Sequence, residues 1–429
     1  MKCLNDLIYL LALIALSPKI LYRILMQNRY RKGWSERLGK IRRNSPDKKC
    51  IWIHAVSVGE VNATKTIIAK LKNQLPQYEI IISATTDTGI EQARKLYGSE
   101  LKVFYFPFDF SFAIHRAFKR LKPDICLLME LEVWPNFTSR AHRLGVPIVV
   151  VNGRISDRSF PKYKILKTFV KPLFRKVSLF FAQDAEYADR FIALGGRKDS
   201  TVVTGSLKYD TAQITDKVEG SDKLAQQFAI GAAPLWVAGG TGPKEEKIIL
   251  DVFKKLKQQE KYDSLRLAIV PRKPERFGEV ADLIAKSGFE LTRYSRIKSG
   301  EQNSPVKNDT VILGDTMGDL RKFYSLASVV FVGRSLVPMG GSDMMESTAM
   351  GKCTIFGPHT FNFNQTVKAL LHAQGAIEVK NENKLYEMIQ KCLDAPQFAK
   401  QIAAAGQNVI KQNQGATQTS ITAILNLLK

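Results

Sequence analysis

The 429-residue chain is poor in the residues that staple small folds or hold metals. Its five cysteines, Cys3, Cys50, Cys126, Cys353 and Cys392, are widely spread and include no Cys-x-x-Cys pair. They exclude a disulfide framework and a thiolate zinc site, and point to a reducing compartment. His54, His115, His142, His359 and His372 show no metal-ligand spacing, and no Asp-x-Asp pair marks a nucleotide-bound divalent ion, so no bound metal is expected. Neither a Walker A sequence nor a GxGxxG fingerprint is present. Acidic residues are also scarce, 40 against 64 basic ones, for a net charge of +24. That excess points to a polyanionic partner: nucleic acid, an acidic membrane leaflet or a phosphorylated substrate. No aromatic-basic RNA motif accompanies it, so a nucleic-acid partner is not expected.

A long apolar run is missing too. Residues 7–16 are continuously apolar, Pro18 and Lys19 interrupt them, and 20–26 resume with Arg23 inside. The block is shorter than the roughly 20 residues of a full span. A basic cluster follows: Arg29, Arg31, Lys32, Arg37, Lys40, Arg42, Arg43, Lys48 and Lys49. Its place after the apolar run argues against a signal peptide. By the positive-inside rule the cluster stays cytoplasmic, where it attracts anionic lipid headgroups. A membrane anchor is therefore expected, spanning or lying in the interface; the alternative is a core helix followed by a solvated basic linker.

What the chain has in abundance is alternation. Strands are expected at 50–54, 79–84, 102–106, 124–130, 147–151, 178–182 and 201–203, with helices at 60–75, 87–97, 111–121, 134–144, 161–176 and 185–194. After a polar stretch at 210–226 the style repeats. Strands are expected at 235–238, 265–270, 309–313, 328–332, 353–356 and 376–379, with helices at 244–257, 274–286, 317–326, 343–351 and 363–372 and further helices from Asn381 and Pro396. This is the pattern of parallel sheets covered on both faces. It implies an α/β protein of three parts: an N-terminal anchor and basic segment (1–45), a first Rossmann-like domain (46–210) and a second (211–429), the two facing each other across a cleft. In such sheets ligands bind beyond the carboxyl ends of the strands.

The loops at those ends carry the candidate chemistry. Segment 54–60, HAVSVGE, places Glu60 at a glycine turn that opens a helix. The helix dipole alone favours an acid there, by about 0.3–1 kcal/mol, so base and bland capping residue are both open. Glu130 and Glu132 end a strand before Trp134 and Pro135. If the extended backbone continues, both carboxylates share one face, where paired acids shift each other's pKa; a helix-capping acid is the alternative. Lys208, in the segment GSLKYD at 205–210, is suited to stabilising negative charge, or is an ordinary solvated lysine. Segment 333–346, GRSLVPMGGSDMME, reads as an anion cradle or as a turn capped by Ser342 or Asp343. Arg272 follows an apolar strand and suits bidentate phosphate contact. The turn 314–319, GDTMGD, is a base- or ribose-binding loop or a helix start. His359, in a loop after a strand, is placed to touch a donor ligand.

Taken in order, these segments resemble a known family. SVGE at 57–60, MELEVWPN at 129–136, TGSLK at 204–208, VPR at 270–272, GDTMG at 314–318, GPHTFNF at 357–363 and NQGA at 413–416 are together similar to 3-deoxy-D-manno-octulosonic acid (Kdo) transferases. The resemblance implies a GT-B glycosyltransferase fold, with the acceptor mainly on the first domain and the nucleotide sugar mainly on the second. It implies transfer of Kdo from CMP-Kdo to a lipid A precursor (lipid IVA) at the cytoplasmic face of the inner membrane, with inversion and without a cofactor. It makes Glu60 the general base and Glu130 and Lys208 the transition-state stabilisers. CMP would be held by Pro271, Arg272, Met317, Gly318, Asp319, Asp343, Met344, Met345 and Glu346. The chain departs from the family where His-Asn-Pro-Leu-Glu-Pro usually follows the double glycine: Ser342 to Ser347 keep the glutamate, and Asp343 brings a negative charge toward the expected phosphate unless its carboxylate caps the helix. Arg334, where a glycine is usual, offers an offset. That departure leaves a GT-B enzyme using another nucleotide sugar as an alternative, and an idle glycolipid-binding protein as a second.

Overall fold

A computed structural model describes residues 2–26, 32–301 and 310–428. The chain forms two compact units, Met1–Thr211 with Gln414–Lys429, and Ala212–Asn413. The expected second domain thus loses its tail. The final helix, Ala416–Leu428, buries Ala416, Ile421 and Ile424 in the core of the first unit.

The first unit is built on strands β1 (Lys49–His54), β2 (Tyr78–Ala84), β3 (Lys102–Tyr105), β4 (Ile125–Met129), β5 (Ile148–Gly153), β6 (Leu179–Ala182) and β7 (Thr201–Val203). All pairings are parallel, in the order β3-β2-β1-β4-β5-β6-β7. Alternate side chains of each strand feed two apolar clusters, Ile51, Ile53, Leu127 and Val149 on one face and Trp52, Cys126, Leu128 and Val150 on the other. Burial on both faces is why these strands read as continuous apolar runs.

The second unit repeats the plan with β8 (Leu235–Thr241), β9 (Arg266–Pro271), β10 (Leu291–Arg293), β11 (Val311–Leu313), β12 (Val329–Val332), β13 (Cys353–Phe356) and β14 (Ile377–Glu378), ordered β10-β11-β9-β8-β12-β13-β14 and parallel throughout. In each unit the chain reverses its direction of winding once, between β1 and β4 and between β8 and β12. Such switch points leave a crevice at the carboxyl ends of the strands, the standard place for a ligand in open α/β sheets.

The N-terminal apolar block is one helix, Lys2–Met26, with Pro18 inside it. Among the described residues no helix is long and apolar enough to cross a membrane, which corrects the spanning form of the anchor. Its first turns rest on the first unit: Asp6 accepts from the Ser111 backbone N–H (2.8 Å) and the Asn136 side-chain amide (3.0 Å), and Tyr9 donates to Asp109 (2.9 Å). Leu7, Ile8, Leu10, Leu11 and Ile14 remain exposed. Of the basic segment that follows, Arg29 and Arg31 lie outside the described residues. Arg37 and Arg43 are not free for headgroups: Arg37 is buried over the Tyr105 ring and bonded to the Thr85 carbonyl, and Arg43 pairs with Glu79 at 2.7 Å.

Candidate active site

At the first switch point Ser57 caps the helix Val58–Ala63, and the helix begins one residue into the expected turn. Glu60 closes a capping box: its carboxylate accepts from the Val56 N–H and the Ser57 hydroxyl, each at 2.9 Å. The structural role first weighed for this residue is therefore real. It does not exhaust the carboxylate, which is only half-buried. Burial raises its pKa, the Val56 and Ser57 bonds oppose the rise, and the charge of Glu130 adds to it.

β4 ends at Met129, and Glu130 turns into the left-handed region at φ 56°. The expectation that Glu130 and Glu132 share one extended face fails for that reason. Glu130 pairs with Arg154 (2.8 Å), which follows β5. Glu132 instead accepts from the Trp134 indole N–H at 2.8 Å and lies 3.8 Å from Nε2 of His54. His54 is fully buried, stacks on Phe106, and is held neutral because burial drives its pKa down to about 3 against the opposing bond to Ser83. Its Nε2 has no hydrogen-bond partner. Glu132 is pushed up to about 7 by burial, opposed by the Trp134 bond and reinforced by the charges of Glu60 and Glu130. Three carboxylates thus share one field, and the first to ionise makes the next harder to ionise.

Lys208 sits in the short helix Leu207–Thr211, which packs against the helix of Glu60. Gly205 takes φ 88°, and Asn152 at the end of β5 accepts from the Leu207 N–H at 3.1 Å, which fixes where the helix starts. The Lys208 ammonium is half-buried and has no ion pair among the described residues. Glu60 after β1, Glu130 after β4 and Lys208 after β7 therefore all stand on the carboxyl edge of one parallel sheet.

In the second unit the expected segments also collect on the carboxyl edge, but their side chains do different work. Pro271 ends β9, and Arg272 beyond it is exposed, with its N–H on the Thr241 carbonyl. Met317 and Gly318 are exposed, whereas Asp319 is buried and bonded to Lys298, Lys322 and Thr316. Burial works against its charge, but those three bonds outweigh it and hold the pKa at about 2. Met344 and Met345 are buried in the core, backbone included. Asp343 accepts from the Met345 N–H at 2.9 Å, one position ahead of Met344, which stands at the N-cap of the short helix Met345–Ala349. Its carboxylate thus faces the first N–H of that helix, and Arg334, itself at φ 60°, bonds the Met339 carbonyl. Glu346 is half-buried one turn further, and His359 half-buried beside Gly341. Gly340 and Gly341 take positive φ, and a Cβ on Gly340 would meet the Asn362 amide at 2.2 Å.

Sequence reasoning missed Glu245 and Glu246. Glu245 is fully buried and accepts backbone N–H bonds from Gly242, Arg334, Ser335 and Leu336, so it ties the loop after β8 to the loop after β12. Glu246 accepts from Thr241 and pairs with Arg276 at 2.5 Å. Two adjacent acids at a helix start were the available signal, hidden because exposed acids there are common. Among the described residues no group of three or more His, Cys, Asp or Glu is arranged to hold a metal ion.

Comparison with known proteins gives this geometry a context. Residues 32–211 match the family described as 3-Deoxy-D-manno-octulosonic-acid transferase (kdotransferase). The chain is 35% identical to a 3-deoxy-D-manno-octulosonic acid transferase of Haemophilus influenzae, over 94% of this chain and 92% of that one. It is 30% identical to one of Bordetella pertussis, over 97% and 98% respectively. A glycosyltransferase structure from Rickettsia africae superposes with a TM-score of 0.56 at 15% identity, covering 89% of this chain and 99% of that one, a likeness of fold alone. The fold is GT-B-like, with two parallel α/β sheets.

Proposed function

The chain belongs to the Kdo transferase family and is a glycosyltransferase, and we propose that it moves Kdo from CMP-Kdo to a lipid A precursor of the lipid IVA type. Glu60 acts as general base. It takes the proton of the acceptor's sugar hydroxyl as that oxygen attacks the anomeric carbon of Kdo, and attack opposite the leaving CMP inverts the configuration. A positioned base contributes about 10²- to 10⁴-fold. The observation that carries this reading is the state of Glu60: a half-buried carboxylate at a switch point, held by two hydrogen bonds, with a raised proton affinity. Glu130 favours the oxocarbenium-like centre, with Arg154 fixing its orientation. Lys208 balances the Kdo carboxylate or the departing phosphate.

CMP is held by the carboxyl-edge loops of the second unit. Arg272 and Glu346 contribute side chains, and the segment 317–319 contributes mainly backbone. The bond from the Met345 N–H to Asp343 at a helix start offsets part of the charge conflict that favoured a different nucleotide sugar. No metal or cofactor is assigned a step. The enzyme works at the cytoplasmic face of the inner membrane, with the N-terminal helix lying in the interface through Leu7, Leu10, Leu11 and Ile14. Purified full chain incubated with lipid precursor and either CMP-Kdo or UDP-sugars tests the donor. Mass spectrometry should find the Kdo mass increment with CMP-Kdo alone; hexose addition from a UDP-sugar would overturn the proposal.

A further inference from the structure

Between the helices Ser111–Leu121 and Pro135–Arg143 lies a groove of about 730 Å³. Arg116, Lys119, Arg120, Arg140 and Arg143 line it, and no carboxylate does. None of the five makes an ion pair among the described residues, although the buried or half-buried Arg37, Arg43 and Arg190 of the first unit are paired or bonded inward. Arg116 and Arg143 each spend one N–H on a carbonyl, of Leu38 and Ser139, and Arg116 also lies over the Phe112 ring, which leaves their other N–H groups without an acceptor among the described residues. Nε of Arg140 is buried with no hydrogen-bond partner among the described residues. Arg116 and Arg140 are half-buried and the other three exposed, and like charges gathered without counter-charge raise the local potential that draws an anion.

The surroundings say which anion. The inner end of the groove is formed by Ser111 and Asn136, the residues that bond Asp6 of the N-terminal helix. Asp6 and Asp109 both accept from Asn136, and neither lines the groove. Phe112 on the groove wall is half exposed, and the apolar face of the N-terminal helix, Leu7, Leu10, Leu11 and Ile14, opens beside it. Apolar side chains next to an unpaired basic groove match a surface that is itself apolar below and anionic at the rim.

We propose that this groove binds the phosphates of anionic glycerophospholipid headgroups in a bilayer, and so fixes the orientation of the first unit on the membrane. It deepens the interfacial reading of the N-terminal helix and rests on it. It is also distinct from the basic segment 29–49, two of whose arginines are committed internally. Vesicle co-sedimentation of the full chain tests it, with phosphatidylcholine alone and with added phosphatidylglycerol at fixed salt. Wild-type protein should bind the mixed vesicles more tightly. The triple variant Lys119→Gln/Arg120→Gln/Arg143→Gln alters only exposed side chains and should lose that increment, roughly ten- to a hundredfold in partition coefficient. Its binding to neutral vesicles and its turnover in neutral detergent should stay unchanged. A charge-keeping variant, Lys119→Arg/Arg120→Lys/Arg143→Lys, should behave as wild type. An increment that survives the triple glutamine variant, or is missing from wild type, overturns the proposal. So does a raised acceptor KM in detergent, which would assign the groove to the acceptor's own phosphates. Failure of Kdo transfer would leave the phosphatidylglycerol increment intact, and absence of neutral-vesicle binding would count against the interfacial helix instead.

Discussion

Glu130 and Glu132 stand two positions apart and yet do different jobs, because one residue between strand and helix adopts a left-handed backbone. Glu130 is drawn to Arg154, and Glu132 is left between an indole N–H and Nε2 of the neutral His54. Nothing in the letters MELEVWPN announces a positive φ at a glutamate, so paired acids were legible and their divergence was not. Glu60 was legible for the opposite reason: an acid at a glycine turn before an apolar helix is a local signal, and the structure adds the capping hydrogen bonds from Val56 and Ser57. The titration of Glu132 gives a test at this scale. As pH rises through about 7, Glu132 takes on a negative charge in the field it shares with Glu60. Wild-type kcat/KM should therefore show an inflection near pH 7 that Glu132→Gln removes, while the acid limb set by Glu60 stays; an inflection that persists would discard the assignment. Stability should follow the same group. The folded pKa lies above the unfolded value of about 4.3, so the native state holds the extra proton and stability falls as pH rises between the two. Urea unfolding at pH 5.5 and 8 should show that fall lessened in Glu132→Gln.

Elements were legible wherever burial on both faces made a strand a solid apolar run, as in Ile125–Met129 and Cys353–Phe356, and wherever helical periodicity was strong, as in Asp87–Tyr97 and Ser111–Leu121. They were missed where a single hydrogen bond or an edge position decided. The helix expected over 60–75 is two helices, Val58–Ala63 and Lys65–Gln74, broken at Thr64, whose hydroxyl bonds the Val61 carbonyl (2.7 Å) and the Tyr97 hydroxyl (2.9 Å). β10 is a three-residue edge strand with one buried side chain, too short to leave a period of two. Two acids act between elements, and each carries a prediction. Glu245→Ala strands several buried N–H groups of the β8 and β12 loops, and should cost the fold roughly 3 kcal/mol or more in denaturant unfolding, with CMP affinity falling in step. Asp109, pushed up to about 7 by burial against the bonds it receives from the Asn136 and Phe137 N–H groups and Tyr9, joins the N-terminal helix to the helix Pro135–Arg143. Asp109→Ala should cost about 1–3 kcal/mol, and amide exchange over the described residues of 2–26 should accelerate more than elsewhere. Unchanged exchange there would show that other contacts hold the helix.

For the whole molecule, the two-fold alternation of strands and helices predicted two parallel-sheet units, which the two seven-stranded parallel sheets bear out. The return of the last helix to the first unit was hidden, since an amphipathic helix does not name the sheet it covers. Net charge is likewise a molecular property that the sequence states and does not locate; part of it is spent inside the first unit, and part lines an open groove. Each unit carries its candidate residues on its own carboxyl edge, so a base defect in the first should leave nucleotide binding by the second untouched. Single-turnover rapid-quench of Glu60→Gln with CMP-Kdo and lipid precursor, alongside CMP affinity, is the most direct test. The transfer rate should fall about 10²- to 10⁴-fold with CMP affinity unchanged and the protein folded. Transfer at the wild-type rate would contradict the assignment of Glu60 as the base.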